Sequence, residues 1–177
     1  MKEFGENVTE FLLMRFIREF NFYLNFIKFR EYKIYEMKKL QFTIEINASK
    51  EKVWEALWQD QNYRNWTSVF HEGSHYEGNL LEGSEILFLG PEKSGMYAKI
   101  EKLVLNEKMY FLHLGEYKNG EKQEGTFGED AIEQYDLVEK EGEIELTVTM
   151  NVPEDYIPYF ADTFPKALEK VKEMAEK

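Results

Sequence analysis

The chain has no cysteine among its 177 residues. Disulfides, thiolate metal ligands and a thiol nucleophile are therefore excluded. That usage suits a reducing compartment, and a cytoplasmic location is expected. Proline is scarce, with four residues, and histidine scarcer still, with three, so imidazole chemistry has few places to occur. Cations are in deficit: 22 Lys and Arg stand against 34 Asp and Glu, a formal net charge of −12. Phosphate backbones and anionic lipid surfaces repel such a chain, and no basic run offers a local exception. No nucleic-acid partner is expected. Long apolar runs are missing too. The most apolar stretch, FLLMRFIREFNFYLNFIKFR (11–30), carries Arg15, Arg18, Glu19, Lys28 and Arg30. No uncharged run in it approaches the ~20 residues an integral membrane segment needs, and the same charges interrupt a signal-peptide core.

What is present points to a globular domain with a real core: 43% of residues are hydrophobic and 16% aromatic. The two halves of that composition are unevenly placed. Residues 1–36 hold six Lys and Arg and six Glu, so the whole excess of negative charge falls in 37–177. Ten of the 28 aromatics lie in the same first 36 residues. This break places a boundary near Met37, with 1–36 as an N-terminal extension and 37–177 as the domain. Leu12, Phe16, Phe20, Tyr23 and Ile27 recur at helical spacing and predict an extra amphipathic helix in the extension. The competing reading is a mis-assigned start, with Met37 as the native first residue.

From Met37 the periodicity alternates between two patterns. LQFTIEIN (40–47) alternates apolar and polar residues as a half-buried strand does. Ser49 then caps a helix whose apolar face is Val53, Trp54, Leu57 and Trp58, and DQNYRNW (60–66) predicts a second short one. Further strands are predicted at 85–89, 97–105, 108–114, 131–139 and 143–152, separated by Gly, Pro and Asn turns. Pro153 ends the last of them. Tyr156, Phe160, Phe164, Leu168 and Val171 then mark a long C-terminal helix, which Pro165 should kink or restart near Asp162. The order predicts an α+β fold in which one curved antiparallel sheet of six or seven strands wraps the C-terminal helix. A sheet curled round one helix closes imperfectly, which leaves room for an apolar ligand between them.

HEGSH (71–75) matches the H-E-x-x-H letters of zinc proteases. That chemistry needs both histidines one turn apart on a helix. Gly73 and Ser74 lie between them, with Gly78 soon after. In extended backbone His71 and His75 stand more than about 10 Å apart. No metal site is expected there. The sequence also carries no phosphate loop, dinucleotide fingerprint or nucleophile elbow, so no cofactor is expected.

Three stretches carry a family resemblance: INASKEKVWEALWQDQNYRNW (46–66), KIEKLVLNEKMYFLHLG (99–115) and FPKALEKVKEMAEK (164–177). The first resembles the strand–helix–tryptophan opening of the START/Bet v 1-like (SRPBCC) superfamily, in its branch related to activators of heat-shock-protein-90 ATPase. The second resembles that branch's strand–turn–strand corner, here Asn106-Glu107-Lys108-Met109, and the third its closing helix. The resemblance implies a helix-grip fold over about four-fifths of the chain and has no counterpart for residues 1–36. It discriminates poorly among functions, because this fold hosts carriers, cyclases and stress proteins.

In MYFLHLG, Met109, Phe111 and His113 share one strand face and Tyr110, Leu112 and Leu114 the other. The resemblance turns the first set toward the cavity. The expected ligand-lining residues are Trp66, Phe88, Tyr97, Phe111, His113, Tyr135, Phe160 and Phe164, with Trp66 near the mouth. The competing reading for each aromatic is plain core. The acidic side chains from Glu116 to Glu145, Glu133 and Asp136 among them, read as a solvated face. The leading expectation is a non-enzymatic module that binds a small hydrophobic or aromatic molecule, or docks on a protein partner; the resemblance implies a stress-related or co-chaperone-like role. The alternative is a cyclase or dehydratase in which His113 moves a proton; a carboxylate beside His113 would favour it.

Overall fold

The computed structural model describes residues 37–123 and 127–177. The amphipathic helix expected within 1–36, and the domain boundary drawn there, lie outside the described residues.

β1 (Met37–Ile46) is followed by two short helices, α1 (Lys50–Trp58) and α2 (Asp60–Thr67). Then come β2 (His75–Gly78), β3 (Glu85–Leu89), β4 (Gly95–Val104), β5 (Lys108–Lys118) and the two-residue β6 (Glu121–Lys122). β7 (Ile132–Lys140), β8 (Glu143–Pro153), a 3-10 turn at Glu154–Tyr156 and helix α3 (Ile157–Ala175) complete the chain. The strands form one antiparallel sheet in the order β1-β8-β7-β5-β4-β3-β2, with β6 added beside β5. The strand count is thus eight rather than six or seven, the extra one being the short β6. β1 pairs with β8 along its whole length, from Met37 opposite Pro153 to Ile46 opposite Ile144. The first and last strands therefore close one end of the sheet together.

Local chemistry sets the helices. Ser49 caps α1, its Oγ accepting from the Lys52 amide at 3.4 Å, and Gln59 caps α2 by accepting from the Asn62 amide at 3.0 Å. α1 buries Val53, Ala56, Leu57 and Trp58; α2 buries Tyr63, Trp66 and Thr67. α3 runs unbroken through Pro165, with no restart at Asp162. The carbonyl that Pro165 leaves without a helical donor is that of Ala161. Both residues are exposed, so water can satisfy it. Thr163 Oγ1 bonds back to the Tyr159 carbonyl at 2.7 Å in the same turn.

The sheet bends because its register is broken. Pairing between β4 and β5 shifts at Tyr97/Ala98 and again at Ile100/Lys102, and each irregularity sharpens the local twist. Gly95 is required at the start of β4, since a Cβ there would sit 1.9 Å from the Phe88 carbonyl oxygen. On the inner face lie Ile86, Ala98, Ile100, Met109, Phe111, Tyr135, Leu137, Leu146 and Val148, each at most 2% exposed. Against them α3 sets Phe164, Ala167, Leu168, Val171 and Ala175. Phe164 stacks on Phe42 of β1 with ring centroids 4.9 Å apart and planes 5° from parallel. Polar ties hold the rim of this helix: Lys172 Nζ donates to the Glu45 carbonyl at 2.6 Å, and the Asn47 amide to Glu176 Oε1 at 2.8 Å.

Two measurements test these assignments. Phe164→Ala, at a site 2% exposed, should lower unfolding free energy by about 3–5 kcal/mol in urea titration. Glu141 adopts φ 53° beside Gly142 at φ 90° in the two-residue turn joining β7 and β8. Glu141→Asn should stabilise the protein by about 0.5–1 kcal/mol, because asparagine tolerates the left-handed conformation such a hairpin demands.

Candidate functional site

Strand alternation brings three polar side chains to the inner face beside one another. His113 on β5 lies close to Glu133 on β7, and Glu133 is two residues before Tyr135 on the same strand. His113 Nε2 is 2.9 Å from Glu133 Oε2, while the Tyr135 hydroxyl donates to Glu133 Oε1. Burial confines the group: the His113 side chain is 10% exposed and that of Glu133 18%, and Tyr135 is 1% exposed. Desolvation, then the Glu133 charge and its hydrogen bond, push the Tyr135 phenol well above its usual range. It stays protonated and serves as donor. Tyr63 is raised as well, by burial first, then by Glu133 and Tyr76.

Aromatic rings surround this group. The Trp58 ring lies 5.0 Å from Tyr135 and 5.6 Å from Phe111, and Phe88 lies 5.1 Å from Phe111 and 5.7 Å from the His113 imidazole. Trp66 Nε1 donates to the Leu57 carbonyl at 2.9 Å, and the Tyr76 hydroxyl to the Trp58 carbonyl at 2.8 Å. Among the described residues two polar atoms of this interior are buried without a hydrogen-bond partner, Trp58 Nε1 and His113 Nδ1. Buried polar atoms are rarely left so.

The structure sorts the eight residues expected to line a ligand. Trp66, Phe88, Phe111, His113 and Tyr135 come together. Trp66 is 2% exposed and belongs to the interior, not to a mouth. Phe160 and Phe164 join a second ring group with Phe42 and Phe70, linked to the first through Trp66 and Phe70 at 6.2 Å. Tyr97 is turned away: Ala98, next to it, pairs with His113, so alternation sends Tyr97 to the outer face. There Lys122 Nζ lies 5.1 Å from its ring centre.

The solvated reading of the acidic stretch needs correction at Glu133, whose carboxylate is turned inward and bonded. Asp136 does face outward, where it accepts from Lys108 Nζ at 2.8 Å and the Tyr110 hydroxyl at 2.6 Å. The bond to Asp136, and after it a second from Lys108 Nζ to the Tyr110 hydroxyl at 3.2 Å, hold the Lys108 ammonium above its ordinary range. Glu133 could have been found from the sequence, because it stands two residues from Tyr135 in a predicted strand and so shares its face. Trp58, Tyr63 and Tyr76 were also missed, and only the helix and strand packing brings them here.

HEGSH occupies a turn and the start of β2. Gly73 has φ 82°, the Ser74 amide bonds to the His71 carbonyl at 3.1 Å, and His75 is already extended. His71 Nδ1 donates to the Glu72 carbonyl at 2.8 Å and His75 Nδ1 to that of Gly73 at 3.1 Å. The helical geometry of the zinc motif is not there. Among the described residues no cluster of three metal-ligating side chains forms, and no helix is long and apolar enough to cross a membrane. A surface depression of about 340 Å³ lies at the start of α1, between Asn47, Lys50, Glu139 and Ile144. Lys50 is paired with Glu107 there at 3.4 Å.

A curved antiparallel sheet closed over a C-terminal helix, with polar side chains held among aromatic rings on its inner face, defines a helix-grip protein. The chain belongs to the family described as Activator of Hsp90 ATPase homolog 1-like protein, which it matches over residues 47–176. Its structure is similar to that of the Aha1 dimer from Colwellia psychrerythraea, with a TM-score of 0.61 and 23% identity over 79% of this chain and 97% of that one. It is also similar to a protein from Mesorhizobium loti, with a TM-score of 0.60 and 12% identity over 77% of this chain and 96% of the other. CalU16 from Micromonospora echinospora gives a TM-score of 0.57 and 14% identity over 78% and 76% of the respective chains. At such identities the likeness is one of fold. Comparison with curated proteins gives no match.

The raised phenols set a pH dependence. A folded-state value above the unfolded one means that stability is complete below about pH 10 and falls as pH rises beyond it. The unfolded chain ionises Tyr135 and Tyr63 there, and the folded chain does not. Tyr135→Phe should flatten this alkaline decline in urea midpoints. It should also lower stability near neutrality by about 1–2 kcal/mol through loss of the bond to Glu133.

Proposed function

We propose that the chain is a binding module that holds an apolar or aromatic small molecule against the inner face of its sheet. The observation that carries this reading is the pair of buried, unpartnered polar atoms, Trp58 Nε1 and His113 Nδ1, set among aromatic rings. Rings supply apolar contact with little loss of side-chain freedom, and the two nitrogens supply the few oriented polar contacts that a ligand site uses. The polar end is not fully covered: Phe88 is half-buried and Glu133 keeps 18% of its side chain exposed. A neutral naphthalene-based fluorophore should therefore bind the full chain with quenching of tryptophan emission. Phe88→Ala should weaken that binding by roughly 1–2 kcal/mol. Absence of saturable binding by the unaltered chain would rule the reading out.

One observation favours a second reading, a proton-transfer enzyme of the cyclase or dehydratase kind. Glu133 lies against His113 and orients its ring, as a carboxylate does for a histidine that moves protons. This reading expects catalysed deuterium exchange into a bound enolisable aromatic ketone, lost in Glu133→Gln. Binding without exchange leaves the module reading in place.

A further inference from the structure

Resting on the reading of the interior as a ligand site, we propose that His113 makes that site selective for neutral aromatic molecules bearing a hydroxyl group, which donates its O–H to His113 Nδ1. The argument starts from Glu133. A carboxylate only accepts hydrogen bonds, and two groups reach this one, the Tyr135 hydroxyl at Oε1 and His113 Nε2 at 2.9 Å from Oε2. Both must donate. No acceptor among the described residues reaches Nδ1, so an N–H there would be a buried donor without a partner; the single N–H sits at Nε2, and Nδ1 carries a lone pair. Glu133 thus fixes the tautomer, and Nδ1 is an acceptor.

That acceptor is buried and has no partner among the described residues, while His113 as a whole is 9% exposed. Its neighbours are apolar: the Phe88 ring lies 5.7 Å from the imidazole, with Phe111 5.1 Å beyond Phe88. A ligand that suits this place presents one donor on a flat apolar body. Charge narrows the class further. Among the described residues no lysine or arginine pairs with Glu133, so a carboxylate or phosphate placed at Nδ1 would meet an uncompensated negative neighbour. A neutral hydroxyl meets no such penalty. An ether or a ketone of the same shape offers no proton and leaves Nδ1 buried and unpaired.

The test uses the full chain and three probes of one shape: 2-naphthol, 2-methoxynaphthalene and 2-naphthoate, each competed against the neutral fluorophore. Naphthol should bind about tenfold more tightly than the ether, the scale of one buried acceptor satisfied or left bare, and naphthoate more weakly than either. In His113→Phe the ratio of naphthol to ether affinity should fall to about one. Nitrogen-15 spectra of the unaltered protein give an independent readout. The His113 Nδ1 resonance should move upfield on adding naphthol and stay in place on adding the ether. Equal binding of naphthol and ether, tighter binding of naphthoate, or an unmoved Nδ1 resonance on saturation with naphthol would each overturn the proposal and leave the binding-module reading standing. Failure of all three probes to displace the bound fluorophore would overturn the proposal alone, and absence of saturable fluorophore binding would overturn both.

Discussion

The parallel stack of Phe164 on Phe42 determines where the C-terminal helix lies across the sheet. Phe42 belongs to β1, which pairs over its full length with β8, so the contact ties the helix to both of these strands. From that anchor the buried stripe Ala167, Leu168, Val171 and Ala175 follows at helical spacing. Lys172 and Glu176 complete the seam through the Glu45 carbonyl and the Asn47 amide. The stretch from Ile157 to Phe160, before the stack, packs instead near Phe70, where the Tyr159 hydroxyl donates to the Phe70 carbonyl at 3.0 Å. The helix therefore covers one part of the concave face and leaves the β3–β4–β5 part to α1 and α2.

This division explains why the polar group sits where it does. Under α3 the inner face is Leu, Ile, Val and Met, which pack closely against the helix stripe. Beyond its reach the covering elements are the short α1 and α2, which present Trp58, Tyr63 and Trp66. Polar groups become tolerable there because each finds a specific partner: Glu133 takes two donors, Trp66 Nε1 takes the Leu57 carbonyl and Tyr76 the Trp58 carbonyl. The imidazole and indole nitrogens left over are the exceptions, and they give the interior its chemical character.

Charge separates the two faces of the sheet. Outside, Asp136 gathers Lys108 and Tyr110, and Lys122 covers Tyr97 while its ammonium bonds Glu85 at 2.8 Å. These are exposed or half-exposed contacts in water, and each contributes little to stability. Inside, one carboxylate with two donors keeps only 18% of its side chain exposed, and there the same bonds are stronger and their loss costlier. The strongly acidic composition is thus mostly a surface property. Glu133, turned inward, is the residue that sets the histidine tautomer.

Period-two alternation already assigned Phe111 and His113 to one face and Ile144, Leu146 and Val148 to another shared one, and the helical stripe from Phe160 to Val171 was equally plain. The backbone at His71–His75 was decided locally as well, since Gly73 and Ser74 disfavour a helix. Those features depend on neighbours a few residues apart, so sequence spacing determines them. Which strands stand side by side depends on register between distant segments. The sequence pattern contains no term for the β5–β7 pairing that sets His113 beside Glu133, or for the β-bulges that bend the sheet. The outward turn of Tyr97, the burial of Trp66 and the unbroken passage of α3 through Pro165 have the same origin. Each was settled by what packs on, or stays off, a given face once the chain has closed on itself.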